Sequence, residues 1–386
     1  MSISAVGFKA NSGMMSRSWL LSLLLPAMAA AQQPMGPSVS QPEPEAVILH
    51  LDESTKSFQP DSALLSPEKT AEQVLRYINS SRATGSPRPL GLAQGLLNQI
   101  PETRWSSRLY LLRATLHQRL HRFDEAQADL DRVLDAQPNN RQALLTRYSI
   151  ALTQGDLGRA EGACRRLGQI KPGLLADTCR LELEGFGDQP ERAFGALSQR
   201  IAQARGESRV ILDWARVTLA DMASRHGLAG AGRYWARALQ SDSKDLYRRA
   251  RFADWLLAQG RPNAALAMTH GYEDVDPLAV LRAIAMTRLD HPQRDELVRS
   301  LAARFEEARW RGEFLHEWEY GRFLLDVTGE PTLALTMAKS NWATQRAYPD
   351  RQLLVRAAQA AGDQAILKSV QINSAAVGGR GLIGDE

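Results

Sequence analysis

Between residue 68 and about residue 373, apolar positions recur at the spacing of amphipathic helices. The helical stretches are ten to eighteen residues long, and glycines, prolines and polar turns separate them. No stretch shows sustained alternation of apolar and polar positions with β-branched residues. The pattern therefore predicts an all-α chain without a β-sheet.

The helical pattern repeats after 34 residues, most clearly between units 107–140 and 141–174. Aligned positions in these two units are His121 with Gly155, Phe123 with Leu157, Ala126 with Ala160, and Pro138 with Pro172. The same plan recurs in units 212–245, 246–279 and 315–349. Weaker helix pairs fill 68–101, 175–206 and 280–311, and a last pair starts near residue 350.

Three kinds of position recur because two helices must cross closely, turn and stop. Small residues let the backbones approach at the crossing: Ala126, Ala160, Ala231, Ala265 and Ala334. Glycines end the first helix, where a left-handed residue satisfies the last carbonyls: Gly155, Gly260 and Gly329. Prolines stop the second helix: Pro138, Pro172 and Pro277. One such pair cannot bury its own apolar face, so stacked pairs stabilise each other.

These features resemble the tetratricopeptide repeat (TPR) family over roughly residues 68–372. The resemblance implies a right-handed α-solenoid of about seven to nine antiparallel helix pairs, in place of a generic helical bundle. The section His316–Gly362 also resembles the C-terminal part of exported bacterial repeat proteins of unassigned role.

The N-terminus has the pattern of a secretory signal peptide over residues 1–31. Arg17 precedes an apolar run from Trp19 to Leu25, and small residues follow, with cleavage expected after Ala29 or Ala31. An uncleaved anchor is the alternative. We expect a flexible Pro-rich leader over 32–67, a disordered tail over 373–386, and no later segment able to span a bilayer. The predicted location is the periplasm of a Gram-negative bacterium.

The charge balance argues against a nucleic-acid partner. The chain has 47 basic and 43 acidic residues, and no run of five or more like charges occurs. Apolar residues make up 44% of the chain, so a sizeable core can be buried.

Cys164 and Cys179 are the only cysteines, and their spacing predicts a disulfide. They lie eight residues before and seven residues after Pro172, so two antiparallel helices leaving that turn place them at the same height. An exported chain meets an oxidising environment. Two buried free thiols are the alternative.

No group of residues predicts catalysis, a cofactor or a metal site. The stretch HEWEY at 316–320 has Tyr320 where a zinc protease needs its second histidine. The glycine-rich stretch at 227–232 lacks a preceding strand and a following lysine. His117 and His121 share a helical face but lack a third ligand, so a surface or turn role is preferred for them.

What remains is the concave surface that the first helices of a solenoid line. By analogy with the family, this groove includes the following residues: Arg108, Thr115, Gln118, Arg119, Gln142, Ser149, Arg216, Ala220, Tyr247, Asp254, His316, Glu319 and Phe323. Such a mixed surface suits protein recognition, although for any single residue a merely solvated face is the preferred interpretation. The family's clamp for a C-terminal carboxylate is not expected, because Leu111 and Thr115 occupy its positions.

The sequence thus predicts a non-enzymatic scaffold that binds a protein or peptide partner in the bacterial envelope. The alternative is a periplasmic solenoid that binds a small ligand, a metal or a glycan, or that carries a cryptic enzyme site.

Overall fold

The computed structural model describes residues 66–311 and 316–376. The predicted signal peptide lies outside the described residues, as does all of the predicted leader except its last two residues. Within the described residues there are eighteen α-helices and no strand. The predicted all-α architecture of stacked helix pairs is therefore confirmed, with nine pairs at the upper end of the expected range.

The helices are numbered in chain order, and each odd-numbered helix is the first of its pair. The first four pairs are α1 Pro67–Thr84 and α2 Arg88–Asn98, α3 Ser107–Arg119 and α4 Phe123–Ala136, α5 Arg141–Gln154 and α6 Leu157–Ile170, and α7 Leu174–Glu184 and α8 Pro190–Gln203. The next three are α9 Arg209–Arg225 and α10 Ala231–Ser241, α11 Leu246–Ala258 and α12 Pro262–Met268, and α13 Asp276–Arg288 and α14 Arg294–Trp310. The last two are α15 Glu317–Phe323 and α16 Pro331–Thr344, and α17 Tyr348–Ala361 and α18 Gln364–Ala376. A π-helical turn, Leu324–Thr328, extends α15.

Eight of the nine first helices are followed by a residue with a left-handed backbone. These residues are Gly85, His121, Gly155, Gly227, Gly260, Asp290, Gly329 and Gly362. At Gly155, for example, the next N–H, that of Asp156, donates to the Ala151 carbonyl at 2.8 Å. This bond satisfies a carbonyl that the helix end leaves without a partner, and it turns the chain into the second helix.

The small residues lie where the repeat pattern requires close approach. Five alanines at the helix crossings are each at most 2% exposed: Ala126, Ala160, Ala231, Ala265 and Ala334. The apolar core follows the array as successive clusters. Leu144 and Leu167 belong to one of them, and Leu257, Ile284 and Leu301 belong to another.

The prolines have two different positions. Pro138 and Pro172 follow Gln137 and Lys171, the C-terminal caps of α4 and α6. Pro277 instead lies in the first turn of α13, so our prediction that it ends a second helix is wrong. The physical reason is that α12 has only seven residues and ends at Met268, well before the proline.

Both ends of the predicted solenoid need correction by a few residues. At the N-terminus, the Ser66 hydroxyl accepts a hydrogen bond from the Lys69 N–H at 3.2 Å, and α1 begins at Pro67. At the C-terminus, α18 continues to Ala376, four residues into the segment predicted to be disordered. Alanine at positions 375 and 376 favours this helical extension.

The array of pairs curves until distant turns touch. The main-chain N–H of Arg346, between α16 and α17, donates to the Thr153 carbonyl at the end of α5 at 2.6 Å. A second contact joins the first pair to the sixth, where Arg82 lies 3.5 Å from the Asp245 carboxylate. The inner side of the array is therefore enclosed. None of the described helices is both long enough and apolar enough to cross a membrane.

Candidate protein-binding surface

The disulfide predicted between Cys164 and Cys179 is present. It joins the second helix of the third pair, α6, to the first helix of the fourth, α7, with a Cα–Cα distance of 5.7 Å. Both cysteines are buried in the cluster that contains Leu144 and Leu167. The bond therefore fixes the stacking of one pair on the next.

The first helices of neighbouring pairs contact one another through polar side chains, which we call the inner row. The Gln118 amide of α3 donates to the Ser149 hydroxyl of α5 at 3.0 Å. In the next step, the Tyr148 hydroxyl of α5 donates to the Glu182 carboxylate of α7 at 2.7 Å. These bonds join consecutive pairs through their first helices alone.

From α9 onward this row becomes an alternation of arginine and aspartate, which we call the inner ladder. It consists of Asp221, Arg251, Asp254, Arg322, Asp326 and Arg356. Arg251 lies 2.7 Å from Asp221 and 3.6 Å from Asp254. Arg322 lies 2.8 Å from Asp254 and 2.6 Å from Asp326, and Arg356 pairs with Asp326. The ladder thus ties α9, α11, α15 and α17 together.

The ladder carboxylates are held in their charged form. Burial alone would raise the pKa of Asp221, but Arg251 and Arg225 outweigh it and lower the pKa below its usual value. The same balance applies to Asp254, whose pKa Arg322 and Arg251 lower against burial. The arginines Arg251 and Arg322 are thus neutralised by carboxylates within the protein.

Glu182 has the opposite balance. Burial raises the pKa of its carboxyl, although Arg225 and the Tyr148 hydroxyl act to lower it. Burial also raises the pKa of the Tyr148 phenol, and the negative charge of Glu182 adds to the effect. Tyr148 and Glu182 thus each hold a proton more tightly in the folded protein than the isolated side chains do.

Tyr247 is a predicted groove residue that the structure leaves largely exposed. Its side chain is 58% exposed, yet burial by the surrounding protein raises the pKa of its phenol, with a further contribution from Asp221. The Tyr247 side chain is therefore accessible to water although protein surrounds it, as expected of a residue on a concave surface. Tyr247 lies beside Arg251 of the ladder.

Arg119 has a similar setting in α3. Its side chain is exposed, but burial within the protein and the positive charge of Arg82 lower the pKa of its guanidinium. The structure gives Arg119 no carboxylate partner among the described residues. Arg108 and Gln142, two other predicted groove residues, are also exposed.

The remaining predicted groove residues engage in contacts within the protein. Arg216 lies 3.4 Å from the Asp213 carboxylate on the preceding turn of α9. His316 lies 3.6 Å from Glu319, and Glu319 raises the pKa of this imidazole although burial opposes it. Asp254 belongs to the inner ladder.

Two predicted groove residues are misplaced. Phe323 is 2% exposed and packs in the core with Phe305, and Ala220 is fully buried. Our prediction that these two side chains line the groove is wrong. The residues that take their places are Arg322 and Asp221, one position away in each case.

The cause of the error is the variable length of the repeats. Asp254 of α11 lies six residues before Gly260, the left-handed residue that follows this helix. Asp221 of α9 likewise lies six residues before Gly227. In α15 the same place is seven residues back, at Arg322, because the π-helical turn holds one extra residue. A strict period of 34 residues from Asp254 reaches Ala220 instead of Asp221. Counting six residues back from the turn glycine identifies Asp221, but it reaches Phe323 instead of Arg322.

The two histidines considered as metal ligands, His117 and His121, make contacts within the protein. His117 is largely buried, 3.7 Å from Asp129, and burial lowers the pKa of its imidazole. His121 has a left-handed backbone and lies 3.2 Å from the Gln345 side-chain amide. Over residues 66–311 and 316–376, no group of three or more His, Cys, Asp or Glu side chains is arranged to hold a metal ion.

Comparisons with known proteins add little to this picture. No protein-family model matches the chain, and no curated protein sequence does. Among solved structures, the TPR domain of P58(IPK) is similar over 80% of this chain and 99% of that chain, with 13% sequence identity and a TM-score of 0.23. At that score the likeness carries no argument, and the fold rests on the helix pairs described above.

Proposed function

We propose that this protein is a non-enzymatic scaffold that holds a protein partner on the inner surface of its first helices. The observation that carries the proposal is Tyr247, which is 58% exposed and lies beside Arg251 of the inner ladder. Tyrosine and arginine are the side chains that most often anchor protein interfaces. Arg119, which has no carboxylate partner among residues 66–311 and 316–376, supplies the second anchor.

The enclosure of this surface restricts the form of the partner. Contacts between Arg346 and Thr153 and between Arg82 and Asp245 bring distant turns together. A narrow element such as an extended peptide or a single helix fits an enclosed wall, whereas a whole domain does not unless these contacts open. We therefore propose a partner that inserts one segment.

The proposed location is the bacterial envelope. The signal peptide predicted from residues 1–31 supports export, and the disulfide Cys164–Cys179 is the kind of bond that persists in oxidising compartments.

Site-specific photocrosslinking in living bacteria tests the proposal. A photoreactive amino acid replaces Tyr247 in one strain and Leu333 of α16 in a matched control, since Leu333 is also exposed, at 49%, but lies on a second helix. We expect one dominant adduct from position 247, none from position 333, and loss of the adduct when Arg119→Glu is added. Identical adducts from both positions, or an adduct indifferent to Arg119→Glu, would show that the inner surface does not select the partner.

A further inference from the structure

A groove with an apolar floor lies away from the inner surface, between α4, α5 and α6. Its volume is about 440 Å³, and its floor is formed by Leu134, Leu144 and Ala163. Three arginines surround this floor: Arg147, Arg159 and Arg166. We call this site the Arg-rimmed groove. Its size is within the range that buries a few side chains of a ligand.

The rim carries positive charge that the protein only partly neutralises. Arg147 pairs with Asp131, and Arg159 lies 3.5 Å from Asp156, but both carboxylates are exposed and such pairs are weak. Within the described part of the chain, the polar contacts of the Arg166 guanidinium are with amide oxygens, 2.8 Å from Asn139 and 3.4 Å from Gln169.

The rim also holds a donor without an acceptor. Among the described residues, the buried Nε–H of Arg147 has no hydrogen-bond partner. A buried donor in that state destabilises the protein until an acceptor reaches it. A carboxylate that enters the groove supplies negative charge and hydrogen-bond acceptors to the arginines that line it.

Gly162 keeps the mouth of the groove open. It is the sixth residue of α6, and a Cβ placed there meets no atom within 4 Å. Glycine inside a helix costs roughly 1 kcal/mol relative to alanine. Neither backbone conformation nor crowding requires glycine here.

We propose that the Arg-rimmed groove binds a segment of a partner protein in which an acidic residue flanks a leucine-like side chain. The aliphatic side chain covers Leu134, Leu144 and Ala163, and the carboxylate binds Arg147 and Arg166. This interaction is separate from binding on the inner surface, because the residues that line the Arg-rimmed groove include neither Tyr247 nor any member of the inner ladder.

The test uses the full mature chain and a fluorescein-labelled twelve-residue peptide that contains Leu-Glu-Glu-Leu. Fluorescence anisotropy should show saturable binding that weakens as salt is added. Gly162→Leu adds an aliphatic side chain to the lining of the groove, at a position where a Cβ meets no atom within 4 Å, and we expect binding to become about tenfold weaker or worse. Arg166→Gln should weaken binding as well, since it removes the rim charge that no carboxylate neutralises.

Two matched controls separate the groove from general effects. Gly195→Leu makes the same change at the sixth residue of α8, where a Cβ also meets nothing within 4 Å. Arg165→Gln removes the same charge from the neighbouring position, where arginine pairs with Glu161. Both should bind like the parent. Failure of the parent to bind, equal loss in each matched pair, or equal binding of a Leu-Gln-Gln-Leu peptide overturns the proposal.

Discussion

The main-chain N–H of Arg346 donates a hydrogen bond to the carbonyl oxygen of Thr153 at 2.6 Å, across 193 positions of the chain. The neighbouring Gln345 side-chain amide lies 3.2 Å from His121 Nδ1. Neither contact follows from the packing of one pair on the next. The accumulated curvature of the array brings these four residues together. The two contacts therefore depend on that curvature, and they close the inner side of the array.

Gly155 allows this closure to be tested. Its φ is +72°, and a Cβ there would lie 3.2 Å from Arg346 Cβ, whereas a Cβ at Gly260, with φ +64°, would meet nothing within 4 Å. Gly155→Ala and Gly260→Ala therefore share a left-handed backbone cost of about 1 kcal/mol, and only the first displaces Arg346. We expect hydrogen exchange of residues 345–347 to accelerate about tenfold in Gly155→Ala alone, which corresponds to about 1.4 kcal/mol. Equal exchange in the two variants would mean that the contact does not hold the turns together.

The repeat pattern predicted the pairs well because helix crossing and turning depend on local sequence. Ala160 must be small, and Gly155 must be left-handed, whatever the rest of the chain does. The contact of Gly155 with Arg346 depends instead on the sum of small rotations over several pairs. No local pattern encodes that sum, so the contact between Arg346 and Thr153 could not be predicted from the repeats.

The inner ladder was partly predictable for a related reason. Asp254 was found because its unit keeps the 34-residue spacing. Arg322 was missed because the π-helical turn after α15 adds one residue that no pattern in the sequence predicts. Arg251 was missed because its role depends on Asp221 of another helix, and a pair of opposite charges 30 residues apart is common by chance.

Arg322 should be the most important member of the inner ladder for stability. Its side chain is 7% exposed and lies between Asp254 and Asp326, so Arg322→Met leaves two buried carboxylates without their main partner. Removing one partner of a buried ion pair costs about 3–5 kcal/mol. Arg356→Met removes a side chain that is 41% exposed and should cost about 1 kcal/mol or less. Urea denaturation of both variants measures the difference, and equal costs would show that the ladder is not a buried network.

The disulfide should contribute about 3 kcal/mol to the free energy of unfolding, because it closes a loop of 15 residues in the unfolded chain. We expect the urea midpoint of the parent to fall when reductant is added. The variant Cys164→Ala/Cys179→Ala should have the reduced protein's midpoint with or without reductant. A parent midpoint that reductant leaves unchanged would contradict this expectation. A free-thiol titration of the unreduced protein should find no thiol.

Asp350 should make the protein less stable as pH rises, the reverse of most aspartates. Its carboxylate accepts hydrogen bonds from the Asn341 amide and the Ala347 N–H, both at 2.9 Å. Burial, aided by Glu319, raises the pKa of this carboxyl to about 6. The unfolded chain has an aspartate pKa of about 3.9, so the protonated side chain stabilises the folded state below that pH, and this contribution is lost as pH rises through 6.

Asp350→Asn isolates this effect, because the amide cannot ionise and its lost cap bond costs the same at every pH. Between pH 4.5 and 7.5, the parent should lose about 2 kcal/mol relative to the variant, from the difference between the two pKa values. His316 and Glu319, which titrate nearby, are present in both proteins and cancel in the comparison. The measurement is urea denaturation of both proteins over that pH range. Parallel pH profiles would show that Asp350 is charged throughout, and hence that water or a cation reaches the connection between α16 and α17.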